Sequence, residues 1–148
     1  MAKRKAAGSR AALVETHFSR FVLVEIKGKS ELAGTGAGRV NIRREEDIRL
    51  ETLGPGDETP FCRVIVRLGL GFFGRREKED QDSVSVEGVF EGRFAVHPDV
   101  DIETLDSAAA DEAFQYGLIS QVYPLASSHL RQQLQMMGLS PRNLPLGI

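Results

Sequence analysis

Residues 83–96 read SVSVEGVFEGRFAV. Val84, Val86, Phe90, Phe94 and Val96 recur on one side at every second position, and Ser83, Ser85, Glu87, Glu91 and Arg93 fall on the other. Alternation of this kind describes a strand with one apolar and one charged face. Residues 61–73, FCRVIVRLGLGFF, repeat the pattern, with Cys62, Val64, Val66, Leu68, Leu70 and Phe72 opposite Arg63 and Arg67. Residues 39–53 do so less cleanly. Val40, Ile42, Ile48 and Leu50 share a face that Arg44 and Glu46 interrupt, with Arg43, Glu45, Asp47, Arg49 and Glu51 opposite. Residues 16–27 are apolar on both faces at Phe21, Val22, Leu23 and Val24, as in a strand covered on two sides. The links at 53–60 and 74–82 are short and turn-like, and 28–39 carries four glycines. Short links suit hairpins, so the expected sheet is antiparallel, wet on one face, with strands in the order 1-2-3-4.

The last third is helical. Asp106 or Ser107 is the expected cap of one long helix over 108–137, with Asp111 and Glu112 in its first turn, where acids complement the helix dipole. Phe114, Leu118 and Val122 recur four apart, and so do Ala126, Leu130 and Leu134. Pro124 lies between the two sets and is expected to kink the helix or to begin its second segment. Gly138 suits a left-handed cap, and Pro141 and Pro145 make the final stretch extended. The apolar residues of this helix, Tyr116, Ile119, Tyr123, Leu125, Met136 and Met137 among them, exceed one stripe. Either the C-terminal tail covers the surplus or a second subunit does. The expected cover is a partner subunit, with Leu130 and Leu134 at the interface.

The rest of the composition narrows the class. The chain has 148 residues, 41% hydrophobic and 27% charged, which suits one globular α+β domain over 13–148 after a basic tail, 1–12. Cys62 is the only cysteine, so no internal disulfide and no cysteine-rich zinc site is possible. No run of about 18 apolar residues occurs, and no apolar segment follows the basic start, so neither a membrane span nor a secretory signal is expected and the default location is cytoplasmic. A formal net charge of −2 argues against general nucleic-acid binding.

Motifs that carry chemistry are few. There is no HExxH, GxSxG or CxxC. Gly28-Lys29-Ser30 lacks the earlier glycine of a phosphate loop, and Gly34-Thr35-Gly36-Ala37-Gly38 leads into a strand rather than a helix. Asp99, Asp101 and Glu103 open like a calcium loop, but Thr104 and Ala110 hold the positions that need glycine and glutamate. His17, His97 and His129 show no ligand spacing, and Cys62 reads as a small core hydrophobe. Neither an enzyme nor a cofactor is expected.

The second half of the chain resembles the SecB family of export chaperones. Glu87, Gly92, Phe94 and Val96 match the family's fourth strand without a gap, Val122-Tyr123-Pro124-Leu125-Ala126 its aromatic-Pro-x-Ala helix element, and Gly138 to Leu146 its proline-bearing Asn-Leu-x-Pro stretch. The resemblance implies a four-stranded antiparallel sheet with one long helix, a dimer of dimers, no enzymatic activity and no cofactor. It also implies hydrophobic grooves for unfolded polypeptide clients. Aromatic excess and position single out Phe21, Phe72, Phe73, Tyr123, Leu144 and Leu146 as client-binding residues, and Glu87 and Glu91 match the acids that dock the SecA translocase motor. Arg43, Arg49, Arg63, Arg67 and Arg93 dilute that acidic face, and the family's second helix and acidic tail do not follow Leu146 within these 148 residues. A SecB-like chaperone dedicated to one antitoxin is therefore a close variant of the export reading. A small-ligand-binding domain, or an enzyme using the acids of 99–112, would be of a different class.

Overall fold

The structure is a computed structural model and describes residues 14–30, 40–56, 59–76 and 79–138. The basic tail, the glycine-bearing stretch 31–39, and the closing stretch with Leu144 and Leu146 lie outside these residues. The elements run β1 (Thr16–Ser30), β2 (Val40–Leu53), β3 (Arg63–Arg76), β4 (Val84–Val96), α1 (Ile102–Ala109) and α2 (Glu112–Met136). All four strands form where alternation places them, as one antiparallel sheet.

The strand order is β1-β4-β3-β2, which corrects the expected 1-2-3-4 meander. β2, β3 and β4 do follow one another, but β1 pairs with β4 at the opposite edge from β2. Three inter-strand steps amount to about 14 Å, and nine extended residues reach about 30 Å, so the link between Ser30 and Val40 does not force β1 and β2 together. The order also puts the two most regularly alternating strands in the centre. Even-numbered positions from Val84 to Val96 are all buried, as are those from Cys62 to Gly74, while the odd positions between them are mostly half-buried or exposed.

The single helix expected over 108–137 is two helices. Asp101 caps α1, accepting a hydrogen bond from the Thr104 amide at 2.8 Å, and the Thr104 side chain together with that amide holds its carboxyl below the usual carboxylate range. Asp111 caps α2 in the same way, accepting from the Phe114 amide at 3.2 Å. Two competent N-caps ten residues apart define two starts, so neither Asp106 nor Ser107 serves as one. α2 continues through Pro124, whose exposed ring meets solvent rather than core. Gly138 ends the helical region at φ +85°, the left-handed conformation expected there.

The chain groups into two compact units. Of the described residues, the first comprises those up to Val22, those of Arg49–Arg67 and Glu91–Val122, and the second those of Leu23–Ile48 and Leu68–Phe90 and those from Tyr123 to Gly138. In the first, Val64, Val66, Phe94 and Val96 are buried with Leu105 and Ala108 of α1 and Leu118 and Val122 of α2, and Phe18 stacks on Phe94 at 4.8 Å. Gly92 admits this packing, because a Cβ there would lie 2.3 Å from Val122 Cγ2. In the second, Leu68, Leu70, Phe72, Val86 and Phe90 are buried with Tyr123, Ala126, Leu130 and Leu134 of α2. Burying each large side chain contributes about 1.5–3 kcal/mol before conformational entropy is counted.

The second unit explains the interruption in β2. Arg44 Nη1 donates to the Tyr123 hydroxyl at 2.9 Å, and the Arg44 guanidinium stands 5.6 Å from the Tyr123 ring centroid. Glu46 pairs with Arg44 at 3.6 Å. The charges on the oily face of β2 thus satisfy the polar end of a tyrosine that is 0% exposed. Burial pushes the Tyr123 hydroxyl pKa upward, so it remains a neutral donor and acceptor at ordinary pH.

Candidate binding surfaces

Each unit carries, among the described residues, a cavity whose lining comes mainly from odd-numbered strand positions, the less buried set. In the second unit a cavity of about 350 Å³ is lined by Glu25, Lys27, Glu45, Asp47, Phe73 and Glu87. Its floor includes Gly71, and a Cβ on that glycine would lie 2.6 Å from the Phe73 ring, so the ring rests in space that only glycine leaves open. Arg43 stacks over the other aromatic surface at 5.0 Å while binding Asp82 through both terminal nitrogens, at 2.7 and 3.0 Å. That fork pulls the Asp82 carboxyl below its usual range. Arg43 also holds Glu45 at 3.0 Å, and Lys27 lies 3.8 Å from Glu25. Glu87 has no cationic partner among the described residues. The cavity is therefore acidic with one aromatic wall.

The first unit's cavity, about 380 Å³, has the opposite character. Ser19, Thr59, Phe61, Arg63, Ile65 and Arg93 line it, with Ala95 and Phe94. Beside it Glu91 bridges two arginines, accepting from Arg67 at 2.9 Å and Arg93 at 3.3 Å.

The residues singled out from sequence scatter across these surroundings. Phe73 and Glu87 line the same cavity. Phe21 is half-buried on β1. Phe72 and Tyr123 are 1% and 0% exposed and belong to the core, so neither offers a client any surface. Glu91 is held in its two-arginine bridge, with 15% of its side chain exposed. Leu130 and Leu134, expected at a subunit interface, are 0% and 2% exposed within the chain's own packing. The helix positions left with surface are Tyr116, Leu125 and Met136. Exposed apolar side chains also stand on the edge strands, Leu23 and Val24 on β1 and Ile42 on β2. The strand order corrects the expectation of a β1 covered on two sides: β1 is an edge strand, and its doubly apolar stretch leaves Leu23 and Val24 exposed.

Chemical groups suited to catalysis are sparse. Burial, reinforced by the nearby Asp101 and Asp106 carboxylates, raises the Cys62 thiol pKa and leaves it a poor nucleophile. Among the described residues no three His, Cys, Asp or Glu side chains gather to hold a metal ion, and no helix is long and apolar enough to cross a membrane.

An antiparallel sheet in the order β1-β4-β3-β2 followed by two helices is an α+β fold of the SecB-like type. A solved structure with this fold is the SecB-like chaperone Rv1957 of Mycobacterium tuberculosis, in complex with a ChAD peptide from the HigA1 antitoxin. The two share 17% identity and superpose with a TM-score of 0.65 over 95% of this chain and 96% of that one. No protein-family model and no curated protein sequence matches the chain.

Proposed function

We propose that this protein is a nucleotide-independent chaperone that holds extended, unfolded polypeptide segments. The observation that carries the reading is the open apolar edge of a SecB-like sheet. Leu23 and Val24 are 42% and 45% exposed on neighbouring positions of edge strand β1, and so present apolar surface on both faces at the edge. An extended client adding to such an edge gains main-chain hydrogen bonds from any sequence and apolar burial from alternate side chains. Broad tolerance of sequence follows, with no reaction chemistry required.

Within this reading the chain works in the cytoplasm as a homo-oligomer, most simply a tetramer, in which Tyr116, Leu125 and Met136 are the helix residues available to other copies. Export of precursors is one use, with Glu87 in the acidic cavity as the docking point for a motor such as SecA. Service to a single antitoxin is the second use, favoured by the peptide held in the mycobacterial structure of the same fold. The test is suppression of aggregation of a reduced, denatured protein without nucleotide, together with identification of what copurifies from the native cell. Many precursors support export, and one antitoxin supports the dedicated role. Failure to suppress aggregation or to bind any extended peptide removes the chaperone reading.

A further inference from the structure

We propose that the arginine-lined cavity of the first unit recognises a carboxylate carried by a polypeptide client next to an apolar side chain. The inference rests on the polypeptide-holding function above and supplies a preference that function alone does not contain.

Arg63 lines this cavity from β3. Its Nε is buried and has no hydrogen-bond acceptor among the described residues, and no carboxylate there pairs with its guanidinium. A buried donor without an acceptor is destabilising, and a guanidinium is the side chain best shaped to grip a carboxylate through two parallel bonds. The neighbourhood reinforces this charge instead of cancelling it. Arg63 and Arg93 line the cavity with no acid among its lining residues, and the acid beside Arg93, Glu91, is shared with Arg67. Glu91 takes its closer bond from Arg67 and its longer one from Arg93, so Arg93 is the less committed of the two, and Arg63 has no ion-pair partner among the described residues. Ser19 Oγ donates to the Arg93 carbonyl at 3.0 Å and helps fix the backbone that carries Arg93 beside the cavity.

The rest of the lining decides which anion fits. Phe61, Ile65 and Ala95 are apolar and share the cavity with the arginines. A phosphodiester backbone or a free inorganic anion has nothing to place against them. A polypeptide does, because alternate side chains of an extended segment project on the same side about 7 Å apart, one able to carry the carboxylate and the other an apolar group. A volume of about 380 Å³ lies at the lower end of the range for ligand pockets, suited to two such side chains rather than a large cofactor. Ser19, on one wall, belongs to edge strand β1, where an extended chain can run.

Fluorescence anisotropy with labelled peptides tests the assignment on the full chain. The probes are an apolar extended peptide with one central Glu, its Gln twin, and each of these ending in a free carboxylate or an amide. On the wild type the Glu peptide is expected to bind about ten-fold tighter than the Gln twin, with the preference shrinking as salt is raised. Arg63→Gln should abolish the preference, so that the Glu peptide binds no tighter than its Gln twin, and Arg63→Lys should restore part of it. A preference that follows the terminal carboxylate instead of the central Glu assigns the cavity to chain ends. Circular dichroism verifies the fold of each variant, and should Arg63→Gln fail to fold, the wild-type Glu/Gln comparison at two salt concentrations and Arg63→Lys decide. Equal binding of all four peptides, or a preference that survives Arg63→Gln, overturns the assignment and leaves the chaperone reading standing. No binding of any peptide overturns both.

Discussion

Gly92→Ala tests the closest contact in the first unit. A Cβ at this position would lie 2.3 Å from Val122 Cγ2, against the roughly 3.5–4 Å of an ordinary carbon–carbon contact. Val122 is 0% exposed and β-branched on a helix, so its side chain has no second rotamer to retreat into. Overpacking of this kind costs about 1–3 kcal/mol. The conformational entropy removed from the unfolded chain offsets about 0.5–1 kcal/mol of that. The net loss is centred on about 1.3 kcal/mol and reaches about 2.5 kcal/mol, equivalent to a fall in Tm of up to about 10 °C for a chain of this size. Urea denaturation at one fixed protein concentration measures it, since assembly would otherwise shift the midpoint. The double variant with Val122→Ala isolates the cause: removing the opposing methyls should recover at least about 1 kcal/mol relative to the sum of the single variants. A Gly92→Ala protein as stable as wild type, with no coupling to residue 122, would refute the claim that this glycine exists to let α2 approach β4.

Three further outcomes follow from the geometry. Tyr123→Phe should lose about 1–2 kcal/mol in chemical denaturation, because the hydroxyl accepts from a charged donor but Arg44, with 31% of its side chain exposed, can be rehydrated. Leu130→Asp should unfold the chain, since an unpaired charge in its own core costs several kcal/mol, whereas Met136→Asp, at a position 82% exposed, should keep the melting temperature and, if copies meet there, lower the mass seen by light scattering. Asp82→Asn should flatten part of the acid limb of the stability profile. The folded-state pKa of Asp82 lies below its unfolded value, so its contribution is fully present above about pH 4 and is lost as pH falls through the folded-state value. The gap in Tm between wild type and Asp82→Asn should therefore close on acidification, and a constant gap would show that the Arg43 fork does not act through the charge.

The sequence bears directly on the four strands, their wet and dry faces and the α+β class, because alternation at every second residue depends only on which side chains must leave water. It bears equally on Gly138 as a helix terminator and on Cys62 as a core residue. The order of the strands was not legible there, since a nine-residue link permits β1 to sit on either edge, and pairing is decided by which faces the helices cover. Leu130, Leu134, Phe72 and Tyr123 illustrate the same limit: an apolar side chain on a helix or strand reads alike whether it meets its own sheet or a partner, and only packing separates the two. Arg44 and Glu46 read as defects in an oily face from sequence, whereas in the fold Arg44 donates to the Tyr123 hydroxyl. Arg63 looked like one more charge on the wet side of β3, and its distinction, a buried Nε with no acceptor among the described residues, exists only once β3 and β4 lie side by side. Local chemistry sets which residues seek burial or water, while contacts between residues distant in sequence decide which of them find a partner and which are left to bind something else.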